Sequence, residues 1–287
     1  MPIPQLGSPA SQRVLTALRG EPVDRVPFAL WRHFHQEEGD PEALAQVTWE
    51  FAQSLDVDLV KLTPSPFYAI EDWGAEVHYP NRGEGLPTLR RPLVREPEAW
   101  RDLPSLDLET GALARELEAL RLLRARDRGR LPILMTIYSP LTLAHKMAGD
   151  RVLEHLREAP QALHFGLAII AETTARFAKR ACAVGADGIF FVCHLASRAH
   201  LTEEEYAAFG EHYDRVVLEA VGDSSWCTVL HLHGEEVFFG LAERYPVHAM
   251  SWDDQAPGCP SLAQALSLTS KGLMGGLRRE TLRDGSP

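Results

Sequence analysis

The sequence has few cysteines and no close pair of them. Its four cysteines, Cys182, Cys193, Cys227 and Cys259, lie far apart, and no two of them form a C-x-x-C motif. This spacing argues against a disulfide scaffold and against a zinc or redox motif built on paired thiols. It is typical of a protein kept in the reducing cytoplasm.

Basic residues are also in short supply. The chain has 29 lysines and arginines against 40 aspartates and glutamates, which gives a formal net charge of -11. Nucleic acids and anionic membrane surfaces select for basic patches, so this balance argues against both as partners. We therefore expect a small-molecule substrate.

Long apolar runs are missing as well. Residues 1–20 contain no apolar signal core, and no apolar stretch is long enough to span a bilayer. A glycine-rich phosphate-binding fingerprint after the first apolar run is also absent, which argues against a Rossmann domain. These absences predict a cytoplasmic protein without membrane contact.

What the chain does have is a regular alternation of strand-like and helix-like segments. Apolar runs of strand length occupy residues 26–31, 59–62, 132–138, 185–192, 228–233, 247–252 and 272–277. Helical patterns occupy residues 8–19, 41–55, 113–126, 160–184, 202–221, 235–245 and 261–271. Apolar strands that alternate with helices indicate a parallel sheet covered by helices. We predict one α/β domain over residues 1–287, folded as a (β/α)8 TIM-type barrel.

The strand count is one short of a closed barrel. The pattern contains about seven strands, whereas a barrel of this type has eight. The sequence ends in Asp-Gly-Ser-Pro, where Ser-Pro resembles the start of another helix. We therefore expect the last helix and strand to be missing at the C-terminus. Residues 67–101, rich in Pro, Gly and Trp, are expected to form an irregular excursion.

Two histidines close the apolar run at residues 228–233. Side chains two positions apart in a strand point the same way, so His231 and His233 should present two imidazoles to one spot. Such a pair suits a metal ion or proton transfer. The alternative is a pair of hydrogen-bonded histidines in a polar pocket.

Further candidate residues follow other apolar runs, at the strand ends where barrels of this type carry their active sites. These residues are Arg32, His33, His35, Cys193, His194 and Asp253. We predict that Arg32, His33, His35 and Cys193 bind the substrate. Arg32 suits bidentate binding of a carboxylate or phosphate, with a structural ion pair as the alternative. The alternative role for Cys193 is packing in the core as a small hydrophobic residue.

Catalytic roles are predicted for Arg32, His194 and Asp253. Asp253 would act as a general base or as the partner that orients a histidine. Lys61 lies within an apolar run, where it points into the barrel or extends outward to solvent. A Schiff-base role for Lys61 would require a desolvated amine with a lowered pKa.

Several segments resemble the uroporphyrinogen decarboxylase family and follow its order along the chain. They are Arg13–Pro27, Ser139–Ala144, Gly185–Gly188, Trp252-Asp253 and Gly272–Gly276. The family looks like a (β/α)8 barrel with two branches. One branch decarboxylates the acetate arms of uroporphyrinogen without a cofactor, and the other contains zinc-dependent methyltransferases that work with methylated corrinoids. The resemblance implies one of these two enzyme classes and suggests a homodimer.

The decarboxylase branch carries an R-Q-A-G-R motif after its first strand. Residues 32–36 here read R-H-F-H-Q and keep only the first arginine. The catalytic aspartate of the branch falls near Ser65, its tyrosine near Lys146 and its serine near Cys193. A carboxy-lyase acting on a tetrapyrrole or another acidic substrate is therefore the second hypothesis.

The methyltransferase branch carries His-x-Cys-Gly at the end of its fifth strand. His231-Leu232-His233-Gly234 matches this motif with His in place of Cys, and both side chains bind Zn²⁺. The resemblance thus implies Zn²⁺ held by His231 and His233, with a corrinoid, carried by a corrinoid protein, as the methyl donor. A third ligand of the branch, a cysteine after its eighth strand, has no counterpart in the sequence. A non-catalytic barrel that binds a tetrapyrrole or corrinoid is a third hypothesis.

Overall fold

Helices form the outer layer of the molecule. The computed structural model describes residues 8–79, 86–276 and 285. The helices are α1 (Pro9–Leu18), α2 (Pro41–Leu55), α3 (Tyr68–Glu71), α4 (Gly111–Asp127), α5 (Pro140–Ala148), α6 (Arg151–Glu158), α7 (Pro160–Val184), α8 (Glu203–Tyr206), α9 (His212–Val221), α10 (Leu241–Arg244) and α11 (Leu262–Ala265). Within the described residues, none of them is long and apolar enough to cross a membrane.

A parallel sheet lies inside this layer. The strands are β1 (Val60–Leu62), β2 (Val77–His78), β3 (Thr88–Leu89), β4 (Ile133–Tyr138), β5 (Gly188–Cys193), β6 (Val229–Leu232), β7 (Ala249–Ser251) and β8 (Gly272–Met274). Six of them pair in the order β1-β4-β5-β6-β7-β8, all parallel, while β2 and β3 form a small antiparallel hairpin. The predicted α/β class is confirmed, because the described strands and helices form an incomplete (β/α)8 barrel.

Strand register decides which residues face the barrel interior. Val192 in β5 is aligned with Tyr138 in β4 and with His231 in β6, and His231 is aligned with Ser251 in β7. Aligned residues of parallel strands point to the same face, and residues two apart along a strand share it. The intervening residues point to the helices: Cys193, for example, contacts Asp214 of α9. The polar side chains at the strand ends therefore converge on one face.

The predicted first strand, residues 26–31, is not a strand. The segment is extended, but its backbone contact to the neighbourhood of β1 is one hydrogen bond, from the N–H of Asp58 to the carbonyl of Phe28 at 2.9 Å. Pro27 has no N–H to donate, and Val26 is 80% exposed. The carboxylate of Asp58 holds the segment instead, by accepting from the N–H of Phe28 at 3.0 Å.

The predicted helix at residues 235–245 shortens to α10. Its first half pairs with the loop after β5, because the N–H of Phe238 donates to the carbonyl of Ala196 at 2.9 Å and Val237 bridges to Ser197. The predicted helix at 261–271 likewise shortens to α11, since the Glu243 carboxylate accepts from the N–H of Ser270 at 2.9 Å.

Several other features differ from the sequence expectation. Helices α5 and α6 are additional to it. The predicted helix at 202–221 is interrupted between α8 and α9 by a π-helical segment, Ala207–Glu211. The predicted excursion at 67–101 contains α3, the β2–β3 hairpin and a 3₁₀ helix at Pro97–Asp102, with residues 80–85 outside the described part. Of the run at 272–277, Leu277 lies outside the described residues.

Candidate active site at the carboxyl ends of the strands

Three histidines gather where β5 and β6 end. His231 lies in β6, while His194 and His233 directly follow β5 and β6. The ring centroids of His194 and His233 are 4.8 Å apart, and those of His233 and His231 are 5.9 Å apart. The two imidazoles predicted to meet do lie together, and His194 extends the group to three.

Backbone hydrogen bonds fix the position of this histidine cluster. The N–H of His233 donates to the carbonyl of Cys193 at 3.0 Å, which continues the β5–β6 pairing by one residue. The N–H of His194 donates to Oγ1 of Thr142 at 3.0 Å. Thr142 lies in the first turn of α5, where Ser139 caps the helix by accepting from the N–H of Thr142. The start of α5 therefore positions His194.

Ser251 is the polar neighbour of His231. Nδ1 of His231 lies 3.1 Å from Oγ of Ser251, its in-register neighbour in β7. A contact of this kind fixes ring orientation and assigns metal binding to the other ring nitrogen, Nε2. Asp253, predicted for that orienting role, is exposed and accepts from the N–H of Gln255 at 3.1 Å in a turn after β7. Sequence reasoning misses Ser251, which only the β6–β7 register identifies.

Burial keeps the imidazole of His194 neutral. Desolvation, with smaller contributions from Lys146, His233 and His231, lowers the pKa of His194 to about 2. A neutral imidazole accepts a proton or a metal ion and does not supply a proton near neutral pH. His194 can therefore serve as a ligand or a base.

Lys61 reaches the same region from β1. Its Nζ lies 5.3 Å from the ring centroid of Trp31 and 5.0 Å from that of Phe190, and it donates to Oγ1 of Thr63 at 3.2 Å. The Phe190 ring in turn stacks on His231 at 5.1 Å. Burial lowers the pKa of Lys61 to about 7. No carboxylate of the described residues lies within ion-pair distance of Nζ.

Lys146 of α5 is a second buried amine beside the histidines. Its Nζ lies 4.3 Å from the ring centroid of Tyr138, and the Tyr138 ring meets His194 edge-on at 5.9 Å. Burial lowers the pKa of Lys146 to about 8. As with Lys61, the described part of the chain provides it with no carboxylate partner. Neither lysine was among the predicted site residues, although Lys61 was noted from its place in an apolar run.

The predicted substrate-binding residues near the first apolar run lie on the loop that precedes α2. Arg32 is exposed, its Nε donates to the carbonyl of His33 at 3.4 Å, and its guanidinium lies 5.3 Å from the ring centroid of Phe34. The alternative of a structural ion pair for Arg32 is not observed among the described residues. Arg32, Trp31 and Lys61 line one small cavity, which places Arg32 at the edge of the site.

His33 and His35 converge on the carboxylate of Glu38. Nδ1 of His33 lies 2.7 Å from Oε1 of Glu38, and Nδ1 of His35 lies 3.1 Å from the same oxygen. The two rings stack with centroids 4.9 Å apart and an angle of 14° between their planes. They form a group of their own, and Glu38 is a site residue that the sequence alone did not single out.

Cys193 lies on the wrong face of the sheet for substrate binding. It is 0% exposed, and its Sγ points at Oδ2 of Asp214 at 3.8 Å, between β5 and α9. Burial, together with the charge of Asp214, raises the pKa of the thiol well above its ordinary value. The structure corrects the prediction of substrate binding by Cys193, because its side chain points to the opposite face of the sheet from those of Val192 and His194.

The family assignment rests on a match over almost the whole chain. Residues 9–287 match the family described as Uroporphyrinogen decarboxylase (URO-D), and the chain belongs to this family. Two of its relatives are methylcobamide:CoM methyltransferases called MtbA. The one from Methanosarcina mazei is 24% identical over 262 residues, covering 85% of this chain and 76% of the relative. The one from Methanosarcina acetivorans is 23% identical, and the match covers 78% of this chain and 69% of the relative.

Uroporphyrinogen decarboxylases are matched over a smaller part of the chain. The enzyme from Xanthomonas campestris pv. campestris is 28% identical over 203 residues, which cover 62% of this chain and 56% of the relative. The longer matches place the chain closer to the methyltransferase branch. In structure, a methyltransferase from Methanosarcina mazei superimposes with a TM-score of 0.75 at 20% identity, covering 86% of this chain and 76% of the other, and so supports the fold.

Proposed function

We propose that this protein is a zinc-dependent methyltransferase that takes its methyl group from a methylated corrinoid presented by a corrinoid protein. The observation that carries the proposal is the cluster of three imidazoles at the ends of β5 and β6 in a chain whose family includes methylcobamide:CoM methyltransferases. His231 and His233 hold the metal ion, and His194 is the third ligand.

The spacing of the rings fits such an ion. With Zn–N bonds of 2.0–2.1 Å and tetrahedral angles, ring centroids lie about 5 Å apart. The observed 4.8 Å and 5.9 Å bracket this value. The observed contacts run from His194 to His233 and from His233 to His231, and the ring nitrogens of the three residues do not all lie within 4.8 Å of one another, so the rings would have to turn to bind one ion together. The use of imidazoles in place of thiolates leaves the ion with its full positive charge.

The substrate carries an anionic group. Lys61 and Lys146 are buried amines without a carboxylate partner in the described residues, and Arg32 lies at the edge of the same site. Burial of an amine in an aromatic environment favours an incoming anion, because the anion restores the charged form of the amine. A sulfonate, carboxylate or phosphate on the methyl acceptor meets this requirement.

Each residue then has a distinct task. When bound, Zn²⁺ would lower the pKa of a thiol acceptor at the site. Ser251 fixes the ring of His231, and the start of α5 fixes His194. Lys61 and Lys146 bind the anionic end of the acceptor, and the aromatic rings around them exclude water.

Metal analysis and a methyl-transfer assay test the proposal together. The purified protein should contain zinc, and it should demethylate methylcobalamin in the presence of an anionic thiol, followed by the change in cobalamin absorbance. The double variant His231→Ala, His233→Ala should lose both the metal at this site and the activity. His212→Ala, which removes an exposed histidine from the outer helix α9, should lose neither and serves as the matched control.

The result against the proposal is equally concrete. Methyl transfer that persists in the double variant, or cobalamin that binds tightly without turnover, would show that these histidines hold no catalytic metal. The second outcome would favour a non-catalytic corrinoid-binding barrel.

A decarboxylase is the second candidate, supported by the two buried amines. Lys61 would hold a carboxylate, and Lys146, with its pKa near 8, would supply the proton that replaces carbon dioxide. His194 is unsuited to that proton donation, because burial lowers its pKa. Carbon dioxide release from an acidic substrate that is abolished in Lys146→Met but retained in the histidine double variant would select this candidate.

A further inference from the structure

The group formed by His33, His35 and Glu38 lies apart from the histidine cluster, and its donor atoms converge. One donor atom from each of the three residues lies within 4.8 Å of the others, and this is the one such group of three among residues 8–79, 86–276 and 285. The two imidazole nitrogens approach one carboxylate oxygen at 2.7 Å and 3.1 Å. Ligand atoms around a tetrahedral zinc ion lie about 3.3 Å apart, so small shifts of these side chains would make room for an ion.

Local structure builds this arrangement. The carbonyl of Phe34 accepts from the N–H groups of Glu37 and Glu38 at 2.8 Å and 3.1 Å, and this turn brings Glu38 back beneath the two rings. The Phe34 ring packs edge-on against Phe51 of α2 at 5.8 Å, which anchors the loop to the helix. Because His33 and His35 lie on either side of Phe34, their rings stack over the same carboxylate.

The carboxylate of Glu38 is buried against the two imidazoles. Its side chain is 0% exposed, and no lysine or arginine of the described residues contacts it. The nearest guanidinium along the chain, that of Arg32, turns to the carbonyl of His33 and to Phe34. A buried carboxylate without a permanently charged cation beside it carries a desolvation penalty. A divalent cation between these three ligands removes that penalty.

We propose that His33, His35 and Glu38 form a second metal site, which binds a divalent transition ion of the Zn²⁺ type through two imidazole nitrogens and one carboxylate. The donor set is the one that borderline ions such as Zn²⁺ and Co²⁺ prefer, and it excludes Ca²⁺ and Mg²⁺, which take all-oxygen ligands. The side chains of His33 and His35 are 35% and 23% exposed. Three protein ligands and this solvent access leave a coordination position for water or a substrate atom.

This site is distinct from the histidine cluster but adjoins the same region. The Glu38 carboxylate is close enough to Tyr138 to contribute, after burial, to the raised pKa of that phenol, and the Tyr138 ring contacts His194. Binding of an ion here would cancel the negative charge beneath Tyr138. It would also fix the loop that carries Arg32.

Cobalt titration of the metal-free protein separates the two sites. The chain should bind Co²⁺ with visible absorption bands, and Glu38→Gln should lower the affinity of one site at least tenfold while the shape of the loop is kept. His35→Ala provides a second variant if Glu38→Gln is poorly folded, and circular dichroism reports folding. The double variant His231→Ala, His233→Ala should retain this cobalt, and His212→Ala should behave as the unmodified chain does.

Each outcome decides between the proposals. Cobalt that is lost in Glu38→Gln and retained in the His231, His233 double variant establishes the second site, whatever the fate of methyl transfer. Cobalt binding that is unchanged in both Glu38→Gln and His35→Ala overturns it and leaves a hydrogen-bonded trio. Cobalt that depends on His231 and His233 alone overturns the second site and supports the proposed function.

Discussion

A hydroxyl group, rather than a carboxylate, lies against the ring of His231. Ser251→Ala removes the contact at 3.1 Å between Oγ and Nδ1 and with it one of the interactions that orient the ring. Loss of such an orienting partner typically lowers metal affinity 10- to 100-fold, so we expect a loss of about this size. Competition with a chromophoric zinc chelator measures it. Asp253→Asn is the control and should leave the zinc affinity unchanged, because Asp253 caps a turn. Equal effects of the two substitutions would contradict the assignment.

The four cysteines should differ sharply in reactivity. Cys193 and Cys227 are buried, and burial raises the pKa of both thiols, whereas Cys259 and Cys182 are partly exposed. Since the thiolate is the reactive form, iodoacetamide should label Cys259 first and Cys182 more slowly in the native protein. Cys193 and Cys227 should react only after denaturation, as peptide mass spectrometry can show. Rapid native labelling of Cys193 would mean that it faces the site after all.

The candidate site was only partly predictable at the residue scale. Alternation along β6 correctly brings His231 and His233 together, since two residues of one strand suffice to define a face. The same rule applied to β5 would have put Cys193 behind the sheet, out of phase with His194. Ser251 and Glu38 depend on a neighbouring strand and on a tight turn, which no pattern within one segment encodes.

At the scale of elements, one carboxylate holds the extended segment 26–31 against the barrel. Asp58, which is 1% exposed, accepts from the guanidinium groups of Arg13 and Arg25 and from the N–H of Phe28. Asp58→Asn keeps the shape and removes the charge, so Arg25 loses its carboxylate partner and Arg13 keeps only the exposed Asp24. We expect the free energy of unfolding to fall by about 2–3 kcal/mol, measured by urea denaturation.

Asp24 provides the matched comparison for Asp58. It pairs with Arg13 as well, but its side chain is 66% exposed. Exposed ion pairs contribute little, so Asp24→Asn should lower the stability much less than Asp58→Asn. If the two substitutions lowered the free energy of unfolding equally, burial would not explain the contribution of Asp58.

Elements with strong internal patterns were predictable, and elements defined by partners were not. Helices α2 and α7 have their predicted bounds, Pro41–Leu55 and Pro160–Val184, since an N-terminal proline and an apolar stripe lie within each segment. The helices after β6 and β7 are short because other loops and the Glu243 carboxylate take their backbone groups. Residues 26–31 are apolar like a strand, but pairing requires a neighbour as well as composition.

At the scale of the whole molecule, charge is distributed unevenly. Many of the described arginines pair with carboxylates at the surface. Among the described residues, the amines of Lys61 and Lys146 lie buried without a carboxylate partner, and the carboxylate of Glu38 lies buried against two imidazoles without a lysine or arginine partner. Such groups are costly to folding, and their collection at one end of the sheet favours a binding role for that end.

Asp214 makes the stability of the molecule depend on pH. This carboxyl of α9 is fully buried and accepts from the hydroxyls of Tyr206 and Tyr245 at 2.7 Å and 2.6 Å and from Sγ of Cys193 at 3.8 Å. Its Oδ1 has no hydrogen-bond partner among the described residues. Burial, reinforced by the charge of Glu211 and opposed by the hydrogen bonds, raises the pKa of Asp214 to about 7.

The sign of the effect follows from the protons bound in each state. Between the ordinary pKa of an aspartate, near 4, and the raised value, the folded protein holds a proton that the unfolded chain has lost. Stability should therefore fall as the pH rises through this window, by at most about 1.4 kcal/mol per pH unit from this group, and level off above it. Asp214→Asn should remove this contribution, as urea denaturation at pH 5, 6, 7 and 8 would measure. Burial also raises the pKa of Glu116, to about 8, and the contribution of Glu116 to the pH dependence remains in the variant. Identical pH profiles for the variant and the unmodified chain would mean that Asp214 is ionised in the folded protein and that its two tyrosines offset the cost of burial.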